Sequence, residues 1–459
     1  MFLIFKRLQA PGELDGPLLF NGKALAALIF PLVAEQFLAI AIGMADTVMV
    51  SGVSESAVSA ISLVDTVNIL LIQLFSAMST GGAVVAAQYI GKGEPHNACA
   101  AAKQLMYVSL FISLGIMAAT LAFCRPILRL CFGALSESTM AYCETYFLLS
   151  AVSYPFLALY NGGAALLRAM GNSKASLFTS IVMNIINVGG NALLIYGLRM
   201  EVAGAATASL VARAIGALVM VKLLLDQHSL IHLERPLHPE LNRSMVGRIF
   251  RLGIPNGLEN SMFQIGKLLV AGILAVFTES VIAANAVAGN IATMVNLPGI
   301  AIGLGMVTVV GQCIGAGNIR QARYYTRLLL AIVYALMLVT TTVLFFFCEP
   351  VVRIFNLSQE GVDAAVEVLR FYAISAAILW PASFTVPNAL RAAGDARFTM
   401  IVAVLSMWIF RIAFSYVLCF GLNMGLMGVW VAMVIDWLAR AIAFVWRYRG
   451  EKWLQKKVV

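Results

Sequence analysis

The sequence predicts an all-α integral membrane protein: twelve transmembrane helices in two six-helix lobes related by a pseudo-two-fold axis along the membrane normal. Three observations predict this class, namely the composition, a series of apolar segments of spanning length, and an internal repeat. Of 459 residues, 61% are hydrophobic and 12% are charged, about half the charge fraction of an ordinary soluble domain. A soluble fold of this length has too little interior to hide so much apolar surface, so part of its solvent is lipid.

A helix needs about 20 apolar residues to cross the hydrocarbon, where only internally bonded backbone is tolerated. That window places spans at 24–50, 57–90, 104–123, 143–168, 175–198, 202–225, 249–277, 282–314, 328–347, 365–391, 397–421 and 425–447. The second and eighth are long enough to tilt or to project beyond the bilayer. The first 23 residues carry Lys6, Arg7, Glu13, Asp15 and Lys23 with no small-residue cleavage site after an apolar core, so no removable signal peptide is expected.

Of the 31 Lys and Arg residues, 22 fall in loops and helix ends of one parity, while Arg125, Arg129, Arg199, Arg353 and Arg370 fall in the other. One missed or invented helix would erase this bias, so it supports the even count and predicts that both termini face the cytoplasm, in the inner cell membrane. The net charge of +9 is dispersed between apolar segments. This is a topology signal, so the expected partner surface is the bilayer and not nucleic acid.

Shifted on itself by 224 residues, the chain matches Pro31 to Pro255, Glu35 to Glu259, Gln88 to Gln312, Gly93 to Gly317, Pro126 to Pro350 and Gly204 to Gly428. Chance identity would not gather on Pro, Gly and Gln at equivalent boundaries. Six spans per half is an even number, so both halves insert the same way up. The expected division is a lobe at 1–225, a cytoplasmic linker at 226–247 and a second lobe at 248–459. The linker, DQHSLIHLERPLHPELNRSMVG, reads as a solvated connector. A cavity between two such lobes, opening alternately to each side, is how this symmetry is commonly used.

The seven cysteines show no CxxC spacing and read as small buried hydrophobes. All four histidines lie in polar loops, which argues against a buried His catalyst or metal site. No catalytic residue, metal or organic cofactor is expected, and the chain is expected to act as a monomer.

An ionisable group inside a span is costly unless it is paired, protonated or facing a wet cavity, so each is a functional hypothesis. Asp46 is the sharpest. It lies deep in the first span, and its repeat mate is Val270, so the second half lacks this charge. Asn187 and Asn191 stand at i, i+4 on one face of the fifth span, and an acid facing such amides is suited to take up and release a proton. Glu35, the repeat mate of Glu259, lies eleven residues before Asp46 and nearly on its face. Asp65 is expected near the outer surface, simply solvated.

In the second half, Asp436 and Arg440 stand at i, i+4 and can bridge within one helix, and Arg411 can join Glu259. Lys267 lies eight residues beyond Glu259, within about 80° on the helical wheel. This cluster reads either as a network that changes partners during transport or as a static staple between helices. Tyr154, Phe263 and Trp380 are candidate cavity-lining residues, of the kind that suits amphipathic organic cations through cation–π contact. Prolines 155, 255, 298, 381 and 387 are candidate bending points.

The strings MADTVMVSG at 44–52, AAQYIGKGE at 86–94 with VGQCIGAGN at 310–318, LLRAMGNSK at 166–174 with NALRAAGDAR at 388–397, and NVGGNALLIYG at 187–197 resemble the multidrug and toxic compound extrusion (MATE) family. The resemblance runs over essentially the whole chain, in order and duplicated. It implies a secondary transporter, not an enzyme, that exports organic cations by cation-coupled antiport. It also implies that Asp46, with Asn187 and Asn191, forms the cation or proton site of the N-terminal lobe.

The archaeal pattern has a second acid where this chain has Asn191. The sodium-coupled bacterial branch has acids where this chain has Phe263 and Trp380, so H+ is expected over Na+ as coupling ion. The major facilitator signature between the second and third spans is replaced by GKGEPHNACAAAK, and GxxxxGK[ST] is absent, which leaves an ion gradient as the driving force. A lipid-linked precursor flippase, or an exporter of one specific metabolite, is the alternative within the wider superfamily.

Overall fold

A computed structural model describes residues 17–51, 55–133, 136–234, 240–456 and 458–459, with the side chains of 44–48, 51 and 55 outside that description. Among the described residues the chain forms twelve helices and no strand. In the first half these are α1 (Gly22–Ser51), α2 (Glu55–Lys92), α3 (Pro95–Phe132), α4 (Glu137–Ala169), α5 (Ser173–Gly197) and α6 (Glu201–Leu224). In the second half they are α7 (Arg243–Leu274), α8 (Glu279–Gly315), α9 (Ile319–Arg353), α10 (Gln359–Trp380, continuing to Val386–Ala392), α11 (Ala396–Gly421) and α12 (Gly425–Arg449).

Each expected span overlaps one of these helices, in order. Nine are apolar and long enough to cross a membrane by length and composition. The other three, α4, α7 and α10, are interrupted by polar, charged or Pro residues, as suits helices that line polar interior.

The repeat governs where helices end and bend. Gly93 (φ 77°) and Gly317 (φ 71°) close α2 and α8 in the left-handed conformation that glycine adopts without a Cβ clash. The side-chain caps do not follow the repeat: Asn172 and Asn318 cap the N-termini of α5 and α9, accepting from the backbone N–H groups of Ala175 (3.3 Å) and Gln321 (3.0 Å), whereas Glu94 and Asp395, before α3 and α11, make no such bond. Non-helical dihedrals fall at Phe123 in α3 and Phe347 in α9. Each lies three residues before a proline, Pro126 or Pro350, whose ring crowds the preceding turn and removes a hydrogen bond. Both of these bends fall at prolines outside the five candidates, and α4 and α8 keep helical dihedrals through Pro155 and Pro298. Pro381 opens a π turn, Pro381–Thr385, within α10.

Contacts divide the chain into a unit of Ala24–Gly257 and a unit of Leu258–Val459 joined by the segment up to Lys23. In the first unit, Cys124, Leu128, Cys143, Phe147 and Val202 pack a core among α2, α3, α4 and α6. The start of α7 belongs to this unit because Gly81 lets two backbones meet: a Cβ there would lie 2.7 Å from the Gly253 nitrogen. The described part of the 226–247 segment is tied down as well as solvated, since the Gln104 side chain of α3 donates to the Glu240 carbonyl (2.7 Å) and accepts from the Asn242 N–H (3.0 Å). In the second unit, Val386, Leu390, Phe444 and Trp453 form a core, and the Tyr325 hydroxyl holds Phe20 by donating to its carbonyl at 2.7 Å.

Candidate functional site

The first unit contains a polar cavity of about 140 Å³ lined by Gly43 and Val50 of α1, Ile61, Ser62 and Asp65 of α2, and Asn191 and Ser209 among others. Asn187 donates to the Ser209 hydroxyl (3.0 Å), and Asn191 donates to the Asn187 carbonyl (3.5 Å). The two amides thus stand on one face, as their i, i+4 spacing requires, and a π turn, Ala192–Gly197, follows them directly. The side chain of Asp46 lies outside the described residues. Its position in the helical backbone of α1, three residues after Gly43 and four before Val50, is on the helix face that those two cavity residues define.

Asp65 departs from the expected solvated surface position. It is half-buried on the wall of this cavity, accepting hydrogen bonds from Tyr146 Oη and Asn68 Nδ2, both at 3.2 Å. Asn68 in turn accepts from the Tyr154 hydroxyl (2.9 Å). These donors offset the burial of the carboxylate. Tyr154 is completely buried beside Phe75 and Ala158, so it is a core residue and not a cavity wall. Arg213, the base inside α6, donates to Ser153 at 2.6 Å.

Glu35 and Glu259 have partners that the sequence reading did not pair with them. Glu35 is met by Arg168 of α4 (3.5 Å) and by the Ser176 hydroxyl of α5 (3.0 Å). Glu259 is met by Arg391 of α10 at 2.5 Å, and Arg391 also donates to Asn388 (3.0 Å). The expected partners of Glu259, Arg411 and Lys267, are turned to other tasks. Arg168 and Arg391 are among the 22 basic residues of the majority parity, and each sits in a repeated motif, LLRAMGNSK or NALRAAGDAR.

The second unit contains a larger cavity, about 630 Å³, within the size range of small-molecule sites. Phe263, Lys267, Trp380, Phe384, Arg411 and Trp437 are on its wall. The two positions where a sodium-coupled relative carries acids are therefore aromatic walls here. Behind the wall, Asp436 is fully buried and accepts from Arg440 Nε at 2.9 Å and from the Ser406 hydroxyl, with Arg411 4.0 Å away. Lys267, Arg411 and Arg440 all stand over the Phe263 ring, at 5.4, 5.7 and 5.8 Å from its centre. A π turn, Met407–Ala413, carries Arg411, and such turns often mark functional positions.

Cys99, His232 and Glu234 come together with ligand atoms within 4.8 Å of one another, a grouping that reading the histidines as scattered loop residues did not anticipate. The protein itself satisfies them. The His232 N–H donates to Cys99 Sγ (3.4 Å), His232 Nδ1 bonds the Ser229 carbonyl (3.1 Å), and Glu234 meets His96 (2.8 Å). These contacts fasten the 226–234 segment to α3. In the nearby GKGE turn, a hydrogen bond from Lys92 holds the Glu94 carboxyl below the usual glutamate range.

Two repeated helical halves with helices of spanning length, each with a polar cavity, have the architecture of a multi-pass membrane transporter. The MatE family model matches residues 31–193 and 255–417, two stretches that begin at the repeat offset of 224, and the chain belongs to the multidrug and toxic compound extrusion family. It is 28% identical to YisQ of Bacillus subtilis, described as an uncharacterized transporter, over 94% of this chain and 95% of that protein. It is 25% identical to a Thermotoga maritima protein described as "Probable multidrug resistance protein NorM", over 95% and 94% of the two chains. The fold matches an outward-facing multidrug resistance MATE family transporter of the MOP superfamily with a TM-score of 0.88, at 20% identity over 95% of this chain and 97% of that one.

Proposed function

We propose that this protein is a proton-coupled antiporter that exports amphipathic aromatic solutes by alternating access, from an inner cell membrane with both termini in the cytoplasm. The observation that carries the reading is the polar cavity of the first unit. Gly43 and Val50 of α1, which flank position 46 along the helix, line it together with Asn191, Ser209 and Asp65, and an acid among neutral amides can take up a proton and give it back. Asp46 is assigned the coupling role, with Asn187 and Asn191 as its amide neighbours. Asp65, already engaged by Tyr146 and Asn68, is the second acid of the same space. The lean towards protons over sodium follows from Phe263 and Trp380 standing where acids would be needed. Cation cargo, which the family resemblance implies, is opposed by the basic wall of the second cavity.

The test is uptake of an aromatic dye into everted vesicles under an imposed proton gradient, and separately under a sodium gradient. Proton-driven uptake is expected, and Asp46→Asn is expected to remove it, by at least tenfold, while the purified variant keeps the wild-type melting temperature. An Asp46→Asn protein that still concentrates dye at the wild-type rate sinks the assignment.

A further inference from the structure

We propose that the cavity of the second unit is a binding site for an aromatic organic anion, held by Lys267 and Arg411 between aromatic walls. The inference rests on the reading of the chain as an exporter and supplies the charge of its cargo.

The described residues lining this cavity include two bases, Lys267 and Arg411, and no carboxylate. The acid nearest to the wall, Asp436, is already claimed by Arg440 at 2.9 Å and by Ser406, with Arg411 farther off at 4.0 Å. One buried carboxylate therefore faces two guanidinium groups. Glu259 does not redress the balance, because it is matched by Arg391 at 2.5 Å. Lys267 meets no carboxylate among the described residues, and its recorded neighbour is the Phe263 ring. The wall is left with an excess of positive charge in a low-dielectric surround, where an unmatched charge is costly and an anion offsets it.

The uncharged polar groups point the same way. The side-chain carbonyls of Asn285 and Asn296 are occupied, accepting from Trp430 Nε1 (3.2 Å) and the Tyr372 hydroxyl (2.7 Å). Each amide keeps both N–H donors for a ligand, against one remaining lone pair on its oxygen. Trp437 Nε1 and Arg411 Nε are buried with no hydrogen-bond partner, and Trp437 is 3% exposed. Both unspent groups on the wall itself are donors, whereas the unspent acceptor Asp436 Oδ2 lies behind it, 4.0 Å from Arg411, and buried donors without partners call for an acceptor.

The aromatic walls fix the rest of the ligand. Trp380, 4% exposed, stacks on Phe384 at 5.2 Å with 21° between their planes, which steadies the Phe384 ring as an aromatic wall for a ligand ring. The Phe263 ring has three protein cations around it, so a cationic ligand seeking a cation–π contact there would meet like charge.

The experiment is a calorimetric titration of the purified full-length protein with two probes of one shape and opposite charge, 2-naphthalenesulfonate and 2-naphthyltrimethylammonium. The sulfonate is expected to bind at least tenfold more tightly. Lys267→Gln is expected to weaken it by about tenfold or more, the scale of one charge-assisted hydrogen bond, and Lys267→Arg to keep most of the affinity. Ala271→Asp, which places a carboxylate on the same wall, is expected to reverse the preference, and it serves should Lys267→Gln fail to fold.

Equal or tighter binding of the ammonium probe to the wild type overturns the proposal. So does sulfonate binding indifferent to both substitutions. Proteoliposomes separate this inference from the one beneath it. Tight sulfonate binding with no gradient-driven movement of either probe would sink the exporter reading alone, whereas gradient-driven movement of the ammonium probe only would sink the anion site alone.

Discussion

At the scale of the residue, the buried carboxylate of Asp436 shows why a charge can persist inside a membrane helix. Its side chain has no exposure, yet it receives Arg440, Ser406 and, at longer range, Arg411. Taking ions out of water costs several kcal/mol each, and only good geometry repays it. Removing one partner is then far worse than never having had the pair. Arg440→Leu should lower the stability of the purified protein by about 3–5 kcal/mol. Asp436→Leu should cost at least as much, since it leaves Arg411 and Arg440 facing each other. Thermal unfolding in detergent measures both, and an Arg440→Leu protein that melts with the wild type would mean that Asp436 is not held as an ion there.

At the scale of the element, the repeat appears as two equivalent clasps, each joining the first helix of a half to the fourth. Arg168 meets Glu35 at 3.5 Å with Ser176 sharing the load, while Arg391 meets Glu259 at 2.5 Å. Glu259→Gln with Arg391→Gln should show a coupling energy of about 1–3 kcal/mol in a double-mutant cycle. Glu35→Gln with Arg168→Gln should show a smaller one, because the serine hydroxyl remains as a donor. Additive unfolding energies at Glu259 and Arg391 would reject the clasp.

The helices themselves were legible in the sequence, because a lipid-exposed run announces itself by length and composition alone. The clasps were not, since Glu259 and its arginine are 132 residues apart and a count of basic residues at helix ends cannot say which of them turn inward. Asp65 was misjudged for a related reason. One donor, Asn68, stands at i+3 on the same helix and was open to a local reading, but Tyr146 becomes visible only once α4 packs on α2. The pairing of Asp436 with Arg440 was readable, because i, i+4 spacing on one helix is local geometry.

At the scale of the whole molecule, the asymmetry of basic residues is sharper than its raw count. Two of the five Arg residues on the sparse side are met by acids, Arg125 by Glu144 and Arg353 by Glu349 at 2.8 Å, so they add little net positive charge to that face. The chain contains its own reporter of orientation. Cys131, near the end of α3 on that sparse side, is exposed, while the other six cysteines are buried. A membrane-impermeant maleimide applied to intact cells should therefore label the wild-type protein, and Cys131→Ser should remove the label. Adding Arg449→Cys to that variant puts an exposed thiol at the end of α12, which should react in everted vesicles and not in intact cells. Labelling of the Arg449→Cys thiol from outside the cell would invert the topology. The exchange would still export, because the direction of an antiporter follows the ion gradient and not the orientation of the chain, and only the assignment of the two membrane faces would change.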